Sequence, residues 1–186
     1  MQAYLREQLI EHLVELHDLA NRYSEGSPAF LQHALDWLKR LEQVLTRLRH
    51  PLSGMIASQR MKLEAALEGH VEPTLHSKRK AARFRAVDLL GEVDRQVRET
   101  VERIDLRFDE WRDKIAQLAA LAAATNGGID LSQPLNRARL KSIWSSFGER
   151  GEGANMYRYL SAVMPEADLL YLLEDILDNM AGHSSG

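Results

Sequence analysis

The sequence predicts an all-α protein: an antiparallel helical bundle with one long projecting helix over about 74–124 and a small C-terminal helical subdomain. Three observations carry this. The 11 glycines and 5 prolines among 186 residues fall in clusters, leaving long stretches without helix breakers. Between the clusters, apolar residues recur every three or four positions, the period of one helical face. Finally, no proline occurs between Pro73 and Pro134, and a strict four–three repeat fills much of that interval.

The elements follow from the breakers. Over residues 2–23, Leu5, Leu9, Leu13, Leu16, Ala20 and Tyr23 keep helical spacing and predict the first helix. Ser24-Glu25-Gly26-Ser27-Pro28 reads as a stop and a start, with Ser27 placed to cap the second helix and Pro28 at its first position, where a missing N–H costs nothing. That helix carries Leu31, Ala34, Leu38, Leu41, Leu45 and Leu48, a coiled-coil-like row. His50 to Gly54 ends it, a weaker third helix follows with Ile56, Leu63 and Leu67, and Gly69 to Pro73 closes that one.

The fourth segment holds the strictest pattern: Val97, Val101, Ile104, Phe108, Trp111, Ile115, Leu118 and Ala122. Read backwards, the register meets Asp94, Leu90 and Val87, and Thr125-Asn126-Gly127-Gly128 supplies the stop. A helix over 74–124 spans about 75 Å at about 1.5 Å per residue, against about 30 Å for each of the first three. Its second half therefore outruns a four-helix bundle and exposes an apolar seam. The expected cover is the C-terminal region together with a second copy of the chain, unless the helix breaks at Gly91, where glycine costs about 1 kcal/mol. Asp94 in the seam is either a buried registry device or an exposed edge residue.

From Ile129 a separate unit is expected. Asp130 or Ser132 would cap a helix bearing Leu135, Leu140, Ile143, Trp144 and Phe147, with Pro134 in its first turn. Gly148 to Gly153 reads as a flexible connector, Met156, Tyr159, Leu160 and Val163 mark a short helix, and Pro165 opens a last one that is apolar on several sides. The predicted organisation is a long-helix bundle over 1–124, a C-terminal helical subdomain over 129–181, and a tail or cloning remnant at 182–186.

Chemistry is sparse. With zero cysteines, thiolate metal sites, iron–sulfur clusters, disulfides and cysteine nucleophiles are excluded. His12 and His17 are spaced by five, which puts the rings on different sides of a helix. His70, Glu72 and His76 form no specific ligand pattern, and the Glu-x-x-His pair of di-iron bundles is missing. The glycines at 148, 151 and 153 lack the strand and the lysine–serine ending of a phosphate loop. No Gly-x-Ser-x-Gly elbow occurs. The carboxylates Asp109, Glu110 and Asp113 read as a solvated, ion-paired face. No catalytic residue, metal or cofactor is expected, and an enzyme ranks last.

Partners are where the sequence speaks. The predicted function is a non-enzymatic adaptor or assembly subunit, self-associating through the heptad seam. Its interface would comprise Val97, Val101, Ile104, Phe108, Trp111, Ile115 and Leu118, with Leu169, Leu173 and Ile176 of the last helix as a docking element. The alternative is a nucleic-acid-associated protein in which Lys78, Arg79, Lys80, Arg83 and Arg85 neutralise phosphates. Against it stand the net charge of −3 and an acidic stretch, Glu166, Asp168, Glu174, Asp175 and Asp178, which the basic run could complement. Residues 1–22 mix charged with apolar positions, unlike a signal peptide. No run approaches the roughly 18 apolar residues of a membrane span. A cytoplasmic protein without membrane contact is expected.

Overall fold

The computed structural model describes residues 2–68, 78–124, 129–131, 133–149, 151 and 153–183. Seven helices account for nearly all of them, with no strand among the described residues. They are α1 (Gln2–Ser24), α2 (Phe30–Arg47), α3 (Leu52–Leu67), α4 (Lys78–Ala124), α5 (Arg137–Gly148), α6 (Ala154–Val163) and α7 (Glu166–His183). The all-α class and the long helix stand as predicted. Helix α4 runs through Gly91 without a break for 47 residues. Residues 74–77, expected in its first turn, lie outside the described residues, as do His70, Glu72 and His76.

Packing divides the chain into two units, Tyr4–Glu102 and Arg103–Gly186 joined by Met1–Ala3. The second half of α4 groups with the C-terminal helices in this packing, whereas the sequence places its boundary after residue 124.

In the unit Tyr4–Glu102, α1, α2, α3 and the first half of α4 alternate in direction. Trp37 Nε1–H donates to the His12 carbonyl at 3.1 Å and Arg40 reaches Glu15 at 2.7 Å, which sets α1 against α2. Arg60 pairs with Glu42 at 2.6 Å and Lys39 with Glu64 at 3.6 Å, which sets α2 against α3. The core is the predicted α2 row, with Leu31, Ala34, Leu38, Leu41 and Leu45 all buried, joined by Trp37, Leu9, Ile56, Leu63, Val93 and Val97.

The turns have local causes. After α1 the chain reverses at Gly26, whose φ of +72° favours a residue without Cβ. Ser27 Oγ accepts from the Ala29 N–H at 3.4 Å, the bond expected of a cap, but the helix begins later than the sequence suggests. Ala29 holds the cap position with no side-chain cap, and Ser27 and Pro28 lie in the turn before it. After α2, Arg49 takes a φ of 53°, and the His50 N–H returns to the Leu45 carbonyl at 2.9 Å. Pro51 then stands at the start of α3, so Ser53 and Gly54 are helical and not part of the stop.

In the C-terminal unit, the second half of α4 supplies the spine. Ile104, Phe108, Trp111, Ile115, Leu118 and Ala122 are all buried, and so are Leu169, Leu173 and Ile176 of α7. The Phe108 ring lies 6.4 Å from Tyr171, and Arg112 pairs with Asp175 at 3.3 Å. The heptad seam is therefore closed from within this unit, because the amphipathic helices that follow it bury apolar faces of their own against it. Asn136, not Asp130, caps α5: its side chain accepts from the Arg139 N–H at 3.0 Å, while Ser132 lies outside the described residues. Two of the three glycines expected in a flexible connector, Gly148 and Gly153, are tight-packing positions, while Gly151 has open space. A Cβ at Gly153 would lie 2.7 Å from Leu118 Cδ2, and one at Gly148 would lie 2.7 Å from the Tyr157 ring.

Asp168 is 1% exposed, although the sequence places it in an acidic surface block. It accepts from the backbone N–H of Gln2 at 2.8 Å and of Ala3 at 3.0 Å. Those are donors of α1's first turn, which lack partners within their own helix. A carboxylate from the last helix thus caps the first helix.

Candidate interaction surface

The residues expected at a partner interface are interior. Val97, Ile104, Phe108, Trp111, Ile115, Leu118, Leu169, Leu173 and Ile176 are buried in the chain's own packing, and Val101 is half-buried. A side chain without exposed surface has none to offer a partner. Within the single chain these side chains are already covered, apart from Val101.

Single exposed apolar side chains such as Leu106 and Tyr159 lie in the C-terminal unit, but an open apolar groove lies in the unit Tyr4–Glu102, along α1. The predicted α1 face included Leu13, Leu16, Ala20 and Tyr23. Burial is instead centred on Leu5, Leu9, His12 and Leu19. The former set forms one wall of a groove of about 360 Å³ whose other wall is Val87, Leu90, Gly91 and Asp94 of α4. Phe30 closes its floor at one end, and His17 and Arg98 stand at the rim. Along α1, residues 13–23 make the groove about 15 Å long. Each wall is a row at three- or four-residue spacing, so the groove has the form of a missing helix's seat.

Its polar groups are few. Asp94 is half-buried and accepts from Arg98 Nε at 2.9 Å through both carboxylate oxygens. It is thus neither a buried registry device nor a free edge residue. Gly91 faces open space: a Cβ built there meets nothing within 4 Å among the described residues. Next to the groove on α4, Phe84 is 49% and Val87 37% exposed.

The basic run behaves differently from a phosphate patch. Arg83 is half-buried and donates to the Ser27 carbonyl at 2.8 Å, the Tyr23 carbonyl at 3.1 Å and the Gly26 carbonyl at 3.4 Å. Its guanidinium also stacks over Tyr23 and Phe30 at 5.3 and 5.4 Å. The Tyr23 carbonyl lies in the last turn of α1, where partial negative charge collects and a cation is stabilising, and those of Gly26 and Ser27 follow it in the turn. Arg79 donates to the Pro28 carbonyl at 3.1 Å. Lys80 lies 6.0 Å from the Phe84 ring, and Arg85 is exposed. The side chain of Lys78 lies outside the described residues. Two of the five cations thus hold the α1–α2 turn, a role that a charge count does not reveal.

The acidic stretch likewise finds partners in its own unit. Lys141 and Arg137 reach Glu166 at 2.7 and 3.0 Å and hold its carboxyl below the ordinary carboxylate range. Asp175 pairs with Arg112.

Among the described residues no cluster of three or more histidines, aspartates and glutamates is arranged to hold a metal. His12 is buried, and that burial lowers its pKa from the usual imidazole value, while Glu15 at 3.5 Å pulls the other way. It stands edge-on to Trp37 with ring centroids 6.0 Å apart, inside the core and away from any cleft. A smaller hollow of about 280 Å³ in the C-terminal unit is lined by Trp144, Tyr157 and Ser161. There Trp144 Nε1–H donates to Ser161 Oγ at 3.0 Å, so the tryptophan's one donor is already used. No helix of the described residues is long and apolar enough to cross a membrane. Compared with protein families, with curated proteins and with solved structures, the chain matches none.

Proposed function

We propose that the chain is a non-enzymatic helical interaction module, an adaptor or assembly subunit of the cytoplasm, and that it engages protein through the α1–α4 groove. The observation that carries this is the groove itself: two helical rows, Leu13-Leu16-Ala20-Tyr23 and Val87-Leu90-Asp94, with an empty seat between them. Leaving apolar surface of this kind wet forgoes about 25 cal/mol for every Å² that a partner would cover. A cysteine-free chain suits a reducing compartment. The self-association predicted through the seam moves to this surface, since the seam is filled.

Nucleic-acid binding loses support, because Arg83 and Arg79 are engaged at the α1–α2 turn. The test is site-specific photocrosslinking in cells, with the crosslinker at Leu13, at Val87 or, as control, at Lys62 on the exposed side of α3. A discrete protein adduct from the first two positions and not from the third supports the groove. Equal labelling at all three, or none, removes it.

A further inference from the structure

We infer that the groove's occupant is a second copy of this chain, its α4 lying antiparallel to α4 with Gly91 at the two-fold axis. This rests on the groove reading above and names its partner.

The first reason is Gly91. Glycine inside a helix costs about 0.5–1 kcal/mol relative to alanine. No positive φ is recorded there, and no neighbouring atom of the described residues would meet a Cβ. Nothing among the described residues accounts for glycine at this position. A helix crossing at that point does, because the missing side chain lets two backbones approach at the short end of the usual 8–10 Å interaxial range.

The second reason is charge. On a helix of 3.6 residues per turn, Lys80, Phe84, Val87, Gly91, Asp94, Arg98 and Glu102 share the side of α4 that faces the groove and solvent. A two-fold at Gly91 pairs positions whose numbers sum to about 182. Lys80 then meets Glu102 of the other copy, Phe84 meets Arg98 in a cation–π contact, and Asp88 meets Arg95 on the same flank. Each pairing occurs twice. A parallel arrangement would instead set Lys80 on Lys80 and Arg98 on Arg98, which is repulsive. Antiparallel self-docking is thus the complementary choice, and it brings the exposed Phe84 and Val87 of each copy under cover.

The absence of native cysteine makes the test direct, since each introduced thiol is the chain's only one. The full chain is measured by light scattering over a dilution series, then oxidised as Gly91→Cys, as Lys80→Cys, and as Lys80→Cys with Glu102→Cys. The expected result is a mass of twice 21.2 kDa that falls with dilution and with salt. Crosslinked dimer should form from Gly91→Cys and from the double variant, with little from Lys80→Cys alone. Gly91→Leu should weaken association about tenfold or more by overfilling the crossing, while Lys80→Glu should be rescued by Glu102→Lys. A monomer at every concentration overturns the inference, as does efficient crosslinking by Lys80→Cys alone. A monomer whose groove still photocrosslinks another protein overturns the self-docking and leaves the groove standing. A monomer with no groove adduct removes both.

Discussion

Two alanine substitutions at glycines of helical φ should change stability in opposite directions. At Gly91 a new methyl meets open space, so alanine removes only the cost of glycine in a helix interior, about 0.5–1 kcal/mol. At Gly153 the same methyl would stand 2.7 Å from Leu118 Cδ2. Leu118 is 2% exposed and packed on all sides, so it has no free rotamer to yield into, and overpacking of this kind costs about 1–3 kcal/mol. The lower entropy of the unfolded alanine chain offsets at most about 0.4–1 kcal/mol of that. Urea unfolding followed by circular dichroism, at dilutions where the chain is monomeric, reads both. With a slope near 2 kcal/mol/M, Gly91→Ala should raise the midpoint by about 0.3–0.5 M, and Gly153→Ala should lower it. Hydrogen exchange assigns each change to its unit, Tyr4–Glu102 for the first and the C-terminal unit for the second. If Gly91→Ala destabilises the dilute monomer, some part of the chain packs against that glycine, and its meaning as a crossing point is lost.

Other perturbations follow from the same geometry. Asp168→Ala strips two N–H groups of α1 of their buried acceptor and should cost about 2 kcal/mol, with Asp168→Asn in between, as read by thermal unfolding. His12 has a folded pKa below its unfolded value of about 6.5, so the unfolded chain binds the extra proton first. Its contribution is complete above pH 6.5 and is lost as pH falls through the lowered folded value. The His12→Gln variant should show a flatter stability–pH profile across that window than the parent, and an unchanged slope would contradict the assignment. Arg83→Lys should loosen the α1–α2 turn almost as much as Arg83→Ala, because a single ammonium cannot bridge three carbonyls and stack on two rings. Protease sensitivity around Gly26 would report it. Ile104→Asp places an unpaired charge at a site 5% exposed and should unfold the C-terminal unit, whatever the oligomeric state.

Much of this architecture is legible in the spacing of leucines. The α2 row from Leu31 to Leu45 was readable because one narrow stripe meets one core. On α1, apolar residues cover a wider arc. Periodicity finds the arc but not which edge of it stays wet: Leu13, Leu16 and Ala20 share the predicted face, yet His12 and Leu19 are the ones buried beside Leu5 and Leu9. The strict repeat of α4 announces burial without saying what does the burying, and α5 to α7 proved to be the answer. Arg83 looks like any cation in a basic run, since the carbonyls it binds are 56–60 residues distant in sequence. Asn136 is hard to single out in the sequence because several residues of one polar segment satisfy the same capping rule.

The capping of α1 by Asp168 also orders events in time. A carboxylate 165–166 residues away in sequence completes the first turn of the first helix. Bringing ends that far apart together costs entropy that grows as about (3/2)RT ln n. The N–H groups of Gln2 and Ala3 find their buried acceptor only once α7 has packed into place. Until then the start of α1 is frayed and open to proteases. Its protection late in a pulse-labelling experiment would mark the moment at which the chain closes on itself.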